Sequence, residues 1–137
     1  MTTQRVASGS HWEPLVGYSR AVRVDRWVAV SGTTAACPDG GAVGGEDPAE
    51  QTREAIRRIA AALEAVGSRL DHVVRTRMFV TDITQWEAIG RAHGEAFAGI
   101  MPASTMVEVR ALIDPNLLVE IEADALIPRS GQPEPGR

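Results

Sequence analysis

The chain has no lysine: all 14 basic side chains among its 137 residues are arginines. That absence excludes lysine Schiff-base chemistry, and with it a covalently anchored pyridoxal phosphate. It also excludes a P-loop, which needs Gly-Lys-Ser/Thr. Cysteine occurs once, at Cys37 beside Pro38, which rules out an internal disulfide framework and a Cys-rich zinc site. Nothing near Cys37 predicts an activated thiolate. His11 and His72 lack partners at metal-ligand spacing, so neither a metal nor a cofactor is expected. No apolar run approaches a membrane-spanning length, and the opening MTTQRVASGS lacks the apolar core of a signal peptide. The expected setting is therefore cytoplasmic, with no membrane partner. A net charge of -4 is not the basic field of a nucleic-acid binder.

What is present is alternation. In Pro102 to Ala125, Thr105, Val107 and Val109 fall on one side of a strand, and Ser104, Met106, Glu108 and Arg110 on the other. Farther on, Val119, Ile121 and Ala123 share an apolar side while Glu120, Glu122 and Asp124 share a polar one. Asp114-Pro115-Asn116 supplies turn chemistry between the halves, so the segment reads as an antiparallel hairpin. A second hairpin spans Ser19 to Thr33, turning at Asp25-Arg26. The segment Pro38 to Gly45 lacks GxGxxG spacing and reads as a turn.

Two helices follow from periodicity. Asp47-Pro48-Ala49-Glu50 is a capped start, and Ile56, Ile59, Ala60, Leu63 and Val66 form a stripe ended by Gly67. Glu50 with Arg53, and Glu54 with Arg58, read as pairs on the outer face. Asp82 opens the second helix, whose stripe is Trp86, Ile89, Gly90, His93 and Phe97. Between the helices Val73 to Thr81 alternates, with Arg75, Arg77 and Phe79 on one side. Two helices cover only one face of such a sheet. The other face is expected to carry Arg75, Arg77, Phe79, Met106, Glu108, Arg110, Glu120 and Glu122, a mixture suited to an oligomer interface with pockets. Residues 1–127 make one domain, and 128–137 a polar, proline-rich flexible tail.

The order of these elements, with Gly17-Tyr18-Ser19, Val30-Ser31-Gly32, Val80-Thr81-Asp82, Pro102-Ala103 and Val119-Glu120-Ile121-Glu122-Ala123, resembles the Rid family. These are the reactive-intermediate deaminases, also called YjgF-like proteins. The resemblance implies a chorismate-mutase-like α+β fold with a mixed six-stranded sheet and two helices on one face. It also implies a homotrimeric barrel with small-molecule sites in clefts between subunits. The best-known branch hydrolyses enamines of the 2-aminoacrylate type, and their imine tautomers, to 2-keto acids and ammonia. That branch anchors the substrate carboxylate with the arginine of Pro-Ala-Arg, where this chain has Pro102-Ala103-Ser104. Its helix asparagine is matched here by Gly90. Serine cannot replace the paired charge-assisted hydrogen bonds of arginine. The chain thus looks like an arginine-less branch, marked also by Ser8-Gly9-Ser10-His11-Trp12-Glu13.

The resemblance makes Glu120 the residue that holds or activates water, and Tyr18, Ser31 and Gly32 cleft residues. Ser104 or Thr105 would hydrogen-bond the substrate. Glu120 could equally be neutralised by Arg77 or Arg110, and those arginines could themselves be a relocated anion anchor or a structural ion pair. Tyr18 could bind a ligand or pack beside the hairpin, and Trp12 could wall a cleft or cover an edge. His93 is either a proton shuttle or a satisfied core histidine. The expected activity is enamine or imine deamination, or a related hydrolysis. The rivals are a non-catalytic metabolite-binding trimer and a deaminase for an aromatic or ring-opened intermediate. RNA cleavage finds no support, because there is neither a basic field nor a histidine pair.

Overall fold

The computed structural model describes residues 2–131. Met1 and residues 132–137, most of the expected tail, lie outside the described residues. Six strands form one mixed sheet: β1 (Thr3–Val6), β2 (Ala21–Val24), β3 (Trp27–Thr33), β4 (Val73–Val80), β5 (Ala103–Glu108) and β6 (Val119–Leu126). Their order across the sheet is β1-β2-β3-β6-β4-β5, with every pairing antiparallel except β4 with β5. The long helices are α2 (Pro48–Ala65) and α3 (Trp86–Phe97), preceded by a short α1 (Trp12–Val16).

The helices form where their sequences carry both a stripe and a start. Asp47 accepts from Ala49 N at 2.9 Å and Glu50 N at 3.3 Å, and Pro48 occupies the first turn. Gly67, at φ +83°, ends α2, and the Arg23 guanidinium donates to the carbonyl of Val66 at 2.6 Å. Ile56, Ile59 and Leu63 of α2, with Ile89 and Phe97 of α3, pack on Val28, Val30, Met78, Val80, Val119 and Ile121. Period two in β6 explains its central place: Val119, Ile121, Ala123 and Ala125 are buried, while Glu120, Glu122 and Asp124 point to the open face.

Several expectations need correction. Residues 102–125 are not a hairpin, because β5 and β6 lie on opposite sides of β4. Helix α3 carries the chain back so that β5 runs parallel to β4, and residues 109–118 then cross to β6. Asp114 still makes its turn, accepting from Asn116 N at 2.8 Å, but inside a crossover. Met106 and Glu108 do not share the open face. They pair with Met78 and Val80, so they stand on the helix side, where Met106 joins the core and Glu108 accepts from Ile83 N at 3.0 Å. Ser104 pairs with the buried Thr76 and stands there too. Trp86 is 59% exposed and not a core residue. Glu54 is buried rather than outward, held by Arg57 and by Arg58, which also donates to Thr34 O at 2.8 Å.

Candidate active site

The site begins with a register fault. Between Val30↔Ala123 and Thr33↔Ile121, β3 spends one residue more than β6, so Ser31-Gly32 form a bulge. A bulge leaves ladder groups unpaired and re-aims neighbouring side chains. Arg20 meets that need: its Nη1 donates to Gly32 O at 2.7 Å, Ser31 O at 3.3 Å and Thr33 Oγ1 at 2.8 Å. Ser31 Oγ donates to Ser19 O at 2.6 Å, tying the bulge to the segment before β2. Behind Arg20 stands the buried Glu13 carboxylate, 3.9 Å from Nε, which also accepts from the Ser8 backbone and hydroxyl. Tyr18 completes the group, its hydroxyl 3.5 Å from Arg20 Nη2 and its ring 5.6 Å from the guanidinium carbon.

Glu120, one strand over, lays its carboxylate against Gly32. A Cβ built on Gly32 would fall 2.0 Å from Glu120 Oε2, so this glycine serves close approach. Burial raises the Glu120 pKa above the ordinary carboxylate value, the Glu122 charge adds to the rise, and Arg20 opposes it. A carboxylate so placed holds a proton more readily than a solvated one, which suits a general base near neutral pH.

These residues line a cleft of about 980 Å³. Trp12 and Tyr18 give it aromatic walls, Ile113 and Pro38 apolar ones, and Arg58 and Glu122 charged margins. Cys37 also lines it, half-exposed in a turn closed by Gly40 N to Cys37 O at 3.1 Å. Among the described residues no three His, Cys, Asp or Glu side chains could together hold a metal ion. No helix among them is long and apolar enough to cross a membrane.

The structure gathers Tyr18, Ser31, Gly32 and Glu120 in this cleft, together with Trp12, and leaves Ser104, Thr105, Arg77 and Arg110 outside it. Arg77 binds Asp124 Oδ2 at 3.1 Å and Glu122 Oε1 at 3.5 Å rather than Glu120. Arg110 is exposed beyond β5. Thr105 pairs with Arg77 on the open face. Ser104, on the helix side, shares a hydrogen bond of 2.8 Å with Thr76 Oγ1, which lies 2.9 Å from His93 Nε2. His93 is thus neither free nor fully core: its ring tilts against Phe97 at 4.5 Å, and burial lowers its pKa. Sequence reasoning missed Arg20 and Glu13. The available signal was a cation directly before the buried Ala21 at the start of β2, where an acceptor set is needed to hold it.

An α+β sheet with an acidic, half-shielded cleft at a bulge defines a class of small-molecule-sized sites, and comparison with known proteins supplies the family. The profile described as Endoribonuclease L-PSP matches residues 9–127, and the chain belongs to this family, also known as Rid or YjgF. The crystal structure of a Mycobacterium tuberculosis member of the YjgF/YER057c/UK114 family is similar at 52% identity with a TM-score of 0.84, covering 92% of this chain and 100% of that one. An uncharacterized Streptomyces coelicolor protein is 39% identical across 89% of this chain and 90% of its own length. The 2-iminobutanoate/2-iminopropanoate deaminase of Rattus norvegicus is 32% identical across 90% of both chains.

Proposed function

We propose that the chain is an arginine-less Rid deaminase that hydrolyses a small imine or enamine, with Glu120 as general base. The observation that carries this reading is the Glu120 carboxylate lying on Gly32 with its pKa raised by burial. Glu120 would take a proton from water while the water oxygen bonds to the imine carbon and the C=N electron pair moves to nitrogen. Glu120 would hand that proton to the nitrogen. It would then take the proton of the new hydroxyl and pass it to nitrogen as well, so that the C–N bond breaks, ammonia leaves and a carbonyl remains. Ser31, Gly32 and Tyr18 would shape the cleft around the reacting carbon.

The same reading makes the protein a homotrimer whose subunits complete one another's clefts. Exposed apolar side chains support it: Trp27, Leu126 and Val107 on the open sheet face, and Leu15 at 79% exposure on α1. The partner's β5 edge would then bring Ser104 or Thr105 to the substrate. The ligand would be a small molecule; nucleic acid fits poorly, since Glu13, Glu120 and Glu122 stand beside Arg20 and Arg58. A second reading, an aromatic or ring-opened substrate, is favoured by the Trp12 and Tyr18 walls and the cleft volume of about 980 Å³.

The test is ammonia release from freshly generated 2-aminoacrylate and from bulkier aromatic imines, with oligomeric state read by light scattering. Wild-type acceleration that falls roughly 100-fold in Glu120→Gln supports the deaminase. The ratio between the two substrates chooses the class. An inert wild type that binds such ligands without turnover overturns it in favour of a metabolite-binding trimer. Gain of 2-aminoacrylate turnover in Ser104→Arg would support the arginine-less assignment.

A further inference from the structure

Thr76 is completely buried yet carries a hydroxyl, and that hydroxyl lies between two partners, His93 Nε2 at 2.9 Å and Ser104 Oγ at 2.8 Å. Thr76 and Ser104 are register partners on parallel β4 and β5, so both side chains stand on the helix side. Strand β5 ends the sheet, and Ser104 is exposed there. The result is a line of three polar groups running from a half-buried imidazole to the surface.

Each hydroxyl has one proton, so such a line has a direction. A neutral imidazole that accepts at Nε2 draws the Thr76 proton toward itself and the Ser104 proton toward Thr76. Burial keeps His93 neutral to lower pH than an ordinary histidine. The charged groups around it are already engaged. On α3, Arg91 is held by Glu87 and Glu95 by Arg53 of α2. The helix side of β4 and β5 presents Thr76, Met78, Ser104 and Met106, with Glu108 at the far end bound to Ile83 N.

We propose that Ser104 is a base-assisted nucleophile toward neutral acyl ligands such as esters, with Thr76 and His93 as positioning residues that carry its proton. As Ser104 Oγ bonds to the acyl carbon, its proton passes to Thr76 Oγ1 and the Thr76 proton passes to His93 Nε2. The bond from the acyl carbon to its leaving group breaks, its electron pair going to the leaving group. His93 returns its proton to Thr76 Oγ1, and the Thr76 proton passes to the leaving group or, for a weakly basic one, to water. Ser104 is left acylated. The ligand is neutral because, among the described residues, the helix side of β4 and β5 beside this line presents no cation to hold a carboxylate, Arg75 and Arg77 standing on the opposite face. The inference rests on one chain's geometry and is independent of Glu120.

The probe is p-nitrophenyl acetate, with p-nitrophenolate release followed by absorbance and the acetylated residue located by mass spectrometry. Ser104 should be acetylated faster than the exposed Ser130, with a rate that rises with pH through one ionisation below the ordinary histidine value and then levels. Thr76→Val and His93→Gln should slow Ser104 acetylation roughly 10-fold and erase that ionisation, while Thr76→Ser should restore both. Acetylation of Ser104 no faster than Ser130, or a rate indifferent to Thr76→Val in a folded protein, overturns the proposal. Should Thr76→Val fail to fold, ¹⁵N spectra of the wild-type imidazole decide: a neutral ring with its proton on Nε2 overturns it equally.

Discussion

Glu120 occupies the space that a side chain on Gly32 would need: an added Cβ would lie 2.0 Å from Oε2, 2.9 Å from Cδ and 3.3 Å from Cγ of Glu120. Those atoms are the far end of a flexible side chain, and Gly32 has no positive φ to make alanine strained. Gly32→Ala should therefore leave the fold intact, within about 1 kcal/mol, by swinging the carboxylate aside. If Glu120 is the base, that displacement should lower ammonia release roughly 100-fold. A melting curve beside a rate measurement checks the split, and a large loss of stability with unaltered turnover would contradict it.

Arg20 is the brace of the bulge, and its removal should be felt as stability. Its side chain is 12% exposed, and it serves three acceptors on residues 31–33 as well as Glu13. Arg20→Gln should cost about 3 kcal/mol, since the half-buried Ser31 and Gly32 carbonyls lose their donor and the buried Glu13 carboxylate loses its ion-pair partner. Arg20→Lys should recover only part, because one ammonium lacks the planar reach of a guanidinium. The denaturation midpoint measures both.

Period two and period 3.6 made much of this architecture legible. The α2 start at Asp47, the hairpin turning at Asp25-Arg26 and the buried alternation of β6 all follow from residue order. What period two reports is a face, however, and not a neighbour. Asp114-Pro115-Asn116 turns the chain equally well in a hairpin or in a crossover, so the separation of β5 from β6 by β4 was not readable. With the wrong neighbour came the wrong face for Ser104 and Met106. Helix α1 is five residues long, too short for a periodic signal. The Arg20 acceptors exist only once the bulge has formed, so no local pattern announces them. Tyr18, Ser31, Gly32 and Glu120 come together from three separate segments, and only the family resemblance linked them beforehand.

Gln51 should be one of the costliest polar side chains to remove from α2. It is fully buried, donates to Gly45 O at 2.7 Å and Asn116 O at 2.9 Å, and accepts from Leu118 N at 2.9 Å. It thereby clamps the glycine-rich loop and the 109–118 crossover, which carries Ile113 to the cleft margin. Gln51→Leu should cost about 2 kcal/mol by taking the partner from three part-buried backbone groups, Gly45 O, Asn116 O and Leu118 N. Denaturation at unchanged m-value, with faster hydrogen exchange at the Leu118 amide, would register it.

Stability and activity should respond to pH in opposite senses through Glu120. Its pKa in the folded protein is raised above the ordinary 4.5 by burial first and the Glu122 charge second. A carboxyl whose folded pKa exceeds its unfolded value binds its proton more tightly in the folded state. Its contribution to stability is therefore fully present below pH 4.5 and lost as pH rises through the raised value. Glu120→Gln cannot ionise, so it should melt higher than wild type near neutral pH, and the difference should vanish by about pH 4. Deamination needs the ionised base, so wild-type turnover should climb over the same pH window in which stability declines. Glu122→Gln removes the repelling charge and should move the acid limb of turnover to lower pH, whereas Arg20→Gln should move it higher. A Glu120→Gln melting advantage that persisted unchanged in acid would show that packing, and not ionisation, sets it.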